Sequence, residues 1–302
     1  MKKILLVVLS LFALSVQARE TVTIIYGFSA ADGVANYGRN LADEANKIQD
    51  KYTFTFDAKP GAGQAVAVNY VKNTPNTIFM TSGAFWVRPN FFPNESWNVH
   101  DFKPLITQCT IPFSVASAKY KSWKDVPTDR PLSIGTSGLG VVSHLTALQI
   151  QKQYPQIKII PFKSTTDAIV AGVGGQVDFA IGFLGDMAHW TGDDNKVKLN
   201  ILGITGPKPV AGFPNLSSQG FPTILSKMNS THNLMVPTSW SKDKTNEIRN
   251  ILVKAENTRS VRIAYTLDYC EAVQIPENKL QPWWDDQNTV WTNLTKGVKI
   301  DQ

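Results

Sequence analysis

Histidine and cysteine are scarce in this chain of 302 residues, which has four of the first and two of the second. His100, His144, His189 and His232 stand apart, without the short spacings that zinc ligands need, so a metal centre is not expected. Cys109 and Cys270 can pair in an oxidising compartment or stay free, and their spacing does not decide between the two. Dense basic runs are missing too. The formal charge of +6 comes from scattered lysines and arginines, which argues against a nucleic-acid partner and for at most a weak field favouring small anions. Apart from the first residues, no apolar run approaches the roughly 20 residues that a membrane span takes. Repeats of 20–50 residues and low-complexity linkers are also lacking, which excludes solenoids and tethered arrays.

Catalytic constellations are equally thin. The stretch "GTSGLGVVSH" (135–144) approaches a dinucleotide fingerprint through Gly138 and Gly140. Its third small position is Ser143, and the next strand ends on Pro161, Phe162 and Lys163 with no carboxylate for a ribose. It also fails as a nucleophile elbow, because Leu139 stands where glycine is required. Ser143 and His144 are helix neighbours facing different ways, so they cannot act as a nucleophile and base. An exported α/β enzyme with a nucleotide at the Gly138/Gly140 loop is the alternative function; the main reading is a non-enzyme without a cofactor.

What is present starts with an export pattern: Lys2 and Lys3, an apolar run over residues 4–14, and a small-residue cleavage site at Val16, Gln17 and Ala18. Residues 1–18 are expected to be a signal peptide cut after Ala18, leaving the mature protein in the periplasm. Strands and helices then alternate. "TVTIIYGF" (21–28), "YTFTFDA" (52–58) and "TIFMTSG" (77–83) read as strands, with helices between them. One of these carries Tyr37, Leu41, Ala45 and Ile48 on one face. After a proline-bearing crossing (91–122) the pattern restarts with "PLSIGTS", a helix over 141–153, "IKIIPF", a helix over 168–173 begun by Ser164 and Asp167, "QVDFAIGF" and "KLNILGI". Two such sets predict an α/β protein with parallel sheets in two lobes. The expected lobes are residues 19–121 with 234–302, and residues 122–233. The C-terminal region reads as a helix with Trp284, Trp291 and Leu294 on its buried face.

The glycine turn in "FDAKPGAGQAVAVNYV" (56–71) has the grammar of a phosphate cradle but lacks the Walker residues. Strand order 2-1-3 would place the loops after strands one and three beside a ligand and leave this turn near the rim. The site residues are therefore sought at strand ends: Phe28, Ser29, Ala30, Ala31 and Asp32; Ser82 and Gly83; Thr136, Ser137 and Gly138; Ser164 and Thr165; and Asp186 past the strand "QVDFAIGF". These turns are small and polar, and helix starts offer N–H groups to an anion.

At these residues the chain resembles the Bug family, the extracytoplasmic receptors of tripartite tricarboxylate transporters. "KPGAGQAVAVNYV", "LSIGTSGLGVVSHL" and "IPFKSTTDAIVAGVGGQVDFAI" are similar to the family's glycine-rich stretches in order and spacing. The resemblance implies a type II periplasmic-binding-protein fold with its ligand cleft between two lobes, working as a monomer. It would hold a small organic carboxylate or a zwitterionic ligand and deliver it to inner-membrane transporter subunits. The first loop departs from the family pattern, with Ala31 and Asp32 replacing a glycine pair and Ala35 an aspartate. Asp32 either caps the helix beginning near Val34 or faces a cation on the ligand.

Overall fold

A computed structural model describes residues 19–191 and 199–300. The expected export segment and its cut after Ala18 lie outside the described residues. In chain order the first elements are β1 (Glu20–Tyr26), α1 (Ala35–Ile48), β2 (Tyr52–Ala58), α2 (Ala65–Asn73), β3 (Thr77–Thr81), α3 (Ala84–Phe91), β4 (Phe102–Ile111) and β5 (Phe113–Ser117). The middle of the chain forms β6 (Leu132–Thr136), α4 (Val142–Gln151), β7 (Ile157–Pro161), α5 (Thr165–Val173), β8 (Phe179–Phe183), α6 (Leu184–Ala188) and β9 (Asn200–Ile204). The last elements are β10 (Ser230–Pro237), α7 (Lys242–Glu256), α8 (Arg259–Leu267), β11 (Glu271–Ala272) and α9 (Glu277–Thr295).

Two sheets result, ordered β11-β4-β10-β3-β1-β2 and β7-β6-β8-β5-β9. The expected 2-1-3 order is the edge of the first sheet. Both sheets are mixed rather than parallel: β10 runs antiparallel to β3 and β4, and β5 antiparallel to β8 and β9. The antiparallel strands are those that the sequence pattern hid. Pro104 and Pro112 made the stretch 102–117 read as a crossing, since proline cannot donate to a ladder. Pro112 breaks this stretch into β4 and β5, and that break carries the chain from one sheet to the other. The lobe boundary expected at 121/122 is thus displaced to Pro112, because β5 pairs within the second sheet. The return boundary expected at 233/234 is displaced as well, because β10 begins at Ser230 in the first sheet.

Each lobe buries helices against its sheet. In α1, Tyr37, Leu41 and Ala45 are buried as their spacing predicts, whereas Ile48 is 43% exposed at the frayed end. Helix α5 begins at Thr165, earlier than expected, with Ser164 as N-cap accepting the Asp167 N–H at 3.1 Å. Trp284, Trp291 and Leu294 of α9 are buried, and Trp284 packs edge-on against Trp86 of α3 with ring centroids 4.9 Å apart.

Cys109 of β4 and Cys270, just before β11, form a disulfide across 161 residues of sequence. A cross-link closing so long a loop restricts the unfolded chain strongly. Reducing it, or replacing both cysteines by alanine, is expected to lower the unfolding free energy by about 2–5 kcal/mol. Denaturant midpoints with and without reductant check this; coincident midpoints would contradict it.

Candidate functional site

The loops after β1, β3, β6 and β7 converge where the lobes meet. Phe28, Ser82, Ser137 and Thr165 line an inner pocket together with Phe113, Val142 and Phe183. The first lobe contributes Phe28 and Ser82, and the second Ser137 and Thr165. The Ser82 and Thr165 hydroxyls have no hydrogen-bond partner among the described residues, although both residues are buried, at 5% and 3% exposure. Ser137 and Ser143 pair through their hydroxyls at 2.9 Å, and Ser143 Oγ also accepts the Ser137 N–H at 3.1 Å. No charged side chain lines this pocket. Its volume is about 10 Å³, too little for any carboxylate, so a ligand reaches it only if the lobes separate.

Outside lies a groove of about 1150 Å³ between the lobes, lined in part by Ser29, Ser137, Gly138 and Ser164. Its first-lobe wall is the glycine turn, where Ala62, Gly63 and Gln64 all adopt left-handed φ values of 45°, 54° and 73°. The turn, expected near the rim and apart from the ligand loops, is instead a wall of the groove. Gln64 is anchored from below by the Thr81 hydroxyl, which donates to its Oε1 at 2.7 Å.

Asp32 and Asp186 form reciprocal contacts between the lobes. Asp32 is 1% exposed, and its Oδ1 accepts the Thr166 N–H at 3.2 Å and the Thr166 hydroxyl at 2.7 Å, both at the start of α5 in the other lobe. The Tyr26 hydroxyl donates to its Oδ2 at 3.4 Å. Asp32 therefore caps a helix, but not the one expected: α1 has Val34 at its N-cap with no side-chain bond. No ligand cation is needed to explain it. In return, Asp186 Oδ1 accepts the Gly33 N–H at 3.0 Å, while its Oδ2 is buried without a partner among the described residues. A Cβ on Gly33 would overlap Asp186 Oδ1, so glycine is what permits this approach. Burial raises the Asp32 carboxyl above its ordinary range, opposed by the Thr166 and Tyr26 hydrogen bonds. Burial, then the Asp32 and Asp268 carboxylates, push Asp186 up to about 8.

Six predicted residues line neither cavity: Asp32 and Asp186 of the lobe contact, and four others. Ala30 and Ala31 are exposed, the Ala31 N–H donating to Ser29 Oγ at 3.1 Å; the Gly83 N–H donates to Ser230 Oγ at 3.1 Å; and the Thr136 hydroxyl donates to the Gly138 carbonyl at 3.2 Å. The sequence reading missed Arg88, Phe92 and Phe162 of the groove and Phe113 and Phe183 of the pocket. Only the hidden strand β5 could have signalled Phe113. The nucleotide alternative loses its donors. The Gly140 N–H donates to His144 Nδ1 at 3.2 Å, the Ser137 N–H is taken by Ser143, and a Cβ on Gly140 would overlap the Phe92 ring. His144 is a buried acceptor, pushed down to about 4 by burial.

The receptor model of the tripartite tricarboxylate transporter family matches residues 38–263. The chain belongs to this receptor family. It is a solute-binding receptor and not an enzyme, with the α/β periplasmic-binding-protein fold. The receptor is similar to the periplasmic binding protein BugD, at 19% identity and a TM-score of 0.79, covering 92% of this chain and 97% of BugD. It is similar to MatC from Rhodopseudomonas palustris with bound malate, at 17% identity and a TM-score of 0.79, covering 92% and 99%. An R. palustris protein with adipate is 16% identical, at a TM-score of 0.76, covering 93% and 97%. No curated protein matches the receptor's sequence.

The raised Asp186 carboxyl sets a pH dependence. A group whose folded pKa lies above its unfolded value contributes stability that is complete below about pH 4, the unfolded value, and is lost as pH rises through the folded one. The melting temperature is expected to fall between about pH 4 and pH 8 and to level off above that. Asp186→Asn should flatten that fall, leaving the part due to Glu256, which burial also raises to about 8. Melting curves across this range check it; an unaltered slope in Asp186→Asn would rule out the lobe contact as the source.

Proposed function

We infer that this receptor captures a small organic carboxylate between its lobes in the periplasm and passes it to the membrane subunits of a tripartite transporter. Residues 1–18 direct export and are removed after Ala18, and the mature protein acts as a monomer. Among the described residues no helix is long and apolar enough to cross a membrane. The observation that carries the reading is the pair of hydroxyls without a hydrogen-bond partner among the described residues, on buried Ser82 from one lobe and buried Thr165 from the other, lining one pocket. A carboxylate is acceptor-only, so it satisfies two such donors at once when the lobes part far enough to admit it between them. The malate and adipate in the structural neighbours support the ligand class.

Ligand contacts come from Phe28, Ser82, Ser137 and Thr165 in the pocket, and from Ser29, Gly138 and Ser164 at its mouth. Asp32 and Asp186 hold the lobes and do not touch the carboxylate. A cationic tail on the ligand is therefore not required.

Small carboxylates should raise the melting temperature of the purified receptor, whereas NAD(P) and nucleotides should leave it unchanged. Thr165→Val and Ser82→Ala should each weaken a bound carboxylate by roughly ten- to a hundredfold in calorimetry, the value of a hydrogen bond to a charged group. Stabilisation by nucleotides alone would overturn the reading.

A further inference from the structure

We propose that the first lobe carries a second ligand site, between α7 and β4, for a small zwitterion: an ammonium and a carboxylate on a short aliphatic chain. A cavity of about 220 Å³ lies there, lined by Thr107, Arg249, Val253, Glu256 and Ile275 among others, none of which lines the groove or the inner pocket. Arg249, Val253 and Glu256 recur at i, i+4 and i+7, which sets them on one face of α7. Glu256 is 1% exposed, and neither of its carboxylate oxygens has a partner among the described residues. It is also the last residue of α7, where the helix carbonyls disfavour a negative charge. Arg249 is buried as well; its Nη1 meets Glu277 Oε2 at 2.5 Å, and its Nε has no partner among the described residues. One cavity therefore holds an unmatched acceptor and an unmatched donor.

The chemistry of the lining selects the ligand. Thr107 is already spent, since its hydroxyl donates to the Val273 carbonyl at 2.6 Å and accepts the Ile275 N–H at 3.0 Å. An ammonium brings three donors to Glu256, and a carboxylate accepts from Arg249 Nε in a charge-assisted bond. Turning the Glu256 side chain toward the cavity breaks no hydrogen bond, because its oxygens make none. Val253 and Ile275 offer apolar surface to the chain that joins the two charges. An amine alone would leave Arg249 Nε unmatched, and a carboxylate alone would leave Glu256 so. Burial raises Glu256 to about 8, opposed by Arg262 of α8. The other titratable or charged groups about it are Tyr265 of α8 and Arg249 on its own helix. The carboxyl is thus mostly protonated at pH 7 while the cavity is empty, and a bound ammonium ionises it.

Isothermal titration of the full mature receptor at pH 7 with glycine, 4-aminobutanoate, butylammonium and butanoate tests this. One of the two zwitterions should bind wild type about tenfold tighter than butylammonium, or more. Glu256→Gln, which keeps the volume and removes the charge, should weaken that zwitterion by about tenfold or more. It should leave butanoate, a probe of the cleft between the lobes, as in wild type. Arg249→Gln removes the donor from the other end and serves if the Glu256 variant fails to fold. Binding should also release about one proton per zwitterion, read from the heats in two buffers of different ionisation enthalpy. Zwitterion binding that is unchanged in a folded variant, or that releases no proton, would overturn the proposal. So would butylammonium binding as tightly as the zwitterions, or neither zwitterion binding at all. None of these outcomes touches the carboxylate reading of the cleft, which the proposal does not use.

Discussion

A carboxylate withdrawn from water is costly unless donors replace its hydration, and this protein places two of them where its lobes meet. Asp32 crosses from the first lobe to the start of α5, and Asp186 crosses back to the Gly33 N–H. Each lobe thus supplies an acceptor for a helix-start donor of the other. The exchange joins the lobes, together with the hydrogen bond from Arg88 Nη1 to the Leu139 carbonyl at 3.1 Å. Gly33 has no side chain because Asp186 Oδ1 comes too close for one. Gly185, at the start of α6, is bare for the matching reason, since a Cβ there would overlap Asp268.

The inner pocket draws its lining from both lobes. With the lobes held by Asp32 and Asp186, Phe28, Phe113 and Phe183 close over the hydroxyls of Ser82 and Thr165 and leave almost no free volume. The donors that remain free in the pocket are neutral; of the two cations lining the groove, Arg88 is matched by Glu95, whereas Lys163 has no ion pair among the described residues. Binding by such a site depends on lobe separation and on hydroxyl geometry rather than on a fixed cation. The unpartnered Asp186 Oδ2 and the raised pKa of that group mark the lobe contact as the strained member of the arrangement.

Much of the architecture was legible because it rests on local periodicity. The strands "TVTIIYGF" and "TIFMTSG", the α1 face of Tyr37, Leu41 and Ala45, and the Ser164 cap are patterns within a few residues of one another. The strands β4, β5 and β10 were not legible as such. Pro104 and Pro112 disguised the first two, and those antiparallel strands are what tie the sheets together and move the lobe boundary to Pro112. At the site, strand-end loops were readable as a class, yet loop membership did not separate Ser82 and Thr165, which line the pocket, from Gly83, whose N–H bonds Ser230 of β10, and Thr136, whose hydroxyl bonds its own turn.

The sequence by itself determined the α/β class, the family through its glycine-rich stretches, and the small polar character of the loops between the lobes. Local spacing and backbone demands carry those properties, so a linear pattern can hold them. Only the tertiary structure decided that Cys109 meets Cys270, that the Gly138/Gly140 loop spends its amides on Ser143 and His144, and that Asp32 caps α5 rather than its own helix. The partners in those contacts lie far apart in sequence or compete for the same donor. Which pairing wins is set by how two sheets and their helices pack, and no spacing of residues along the chain records it.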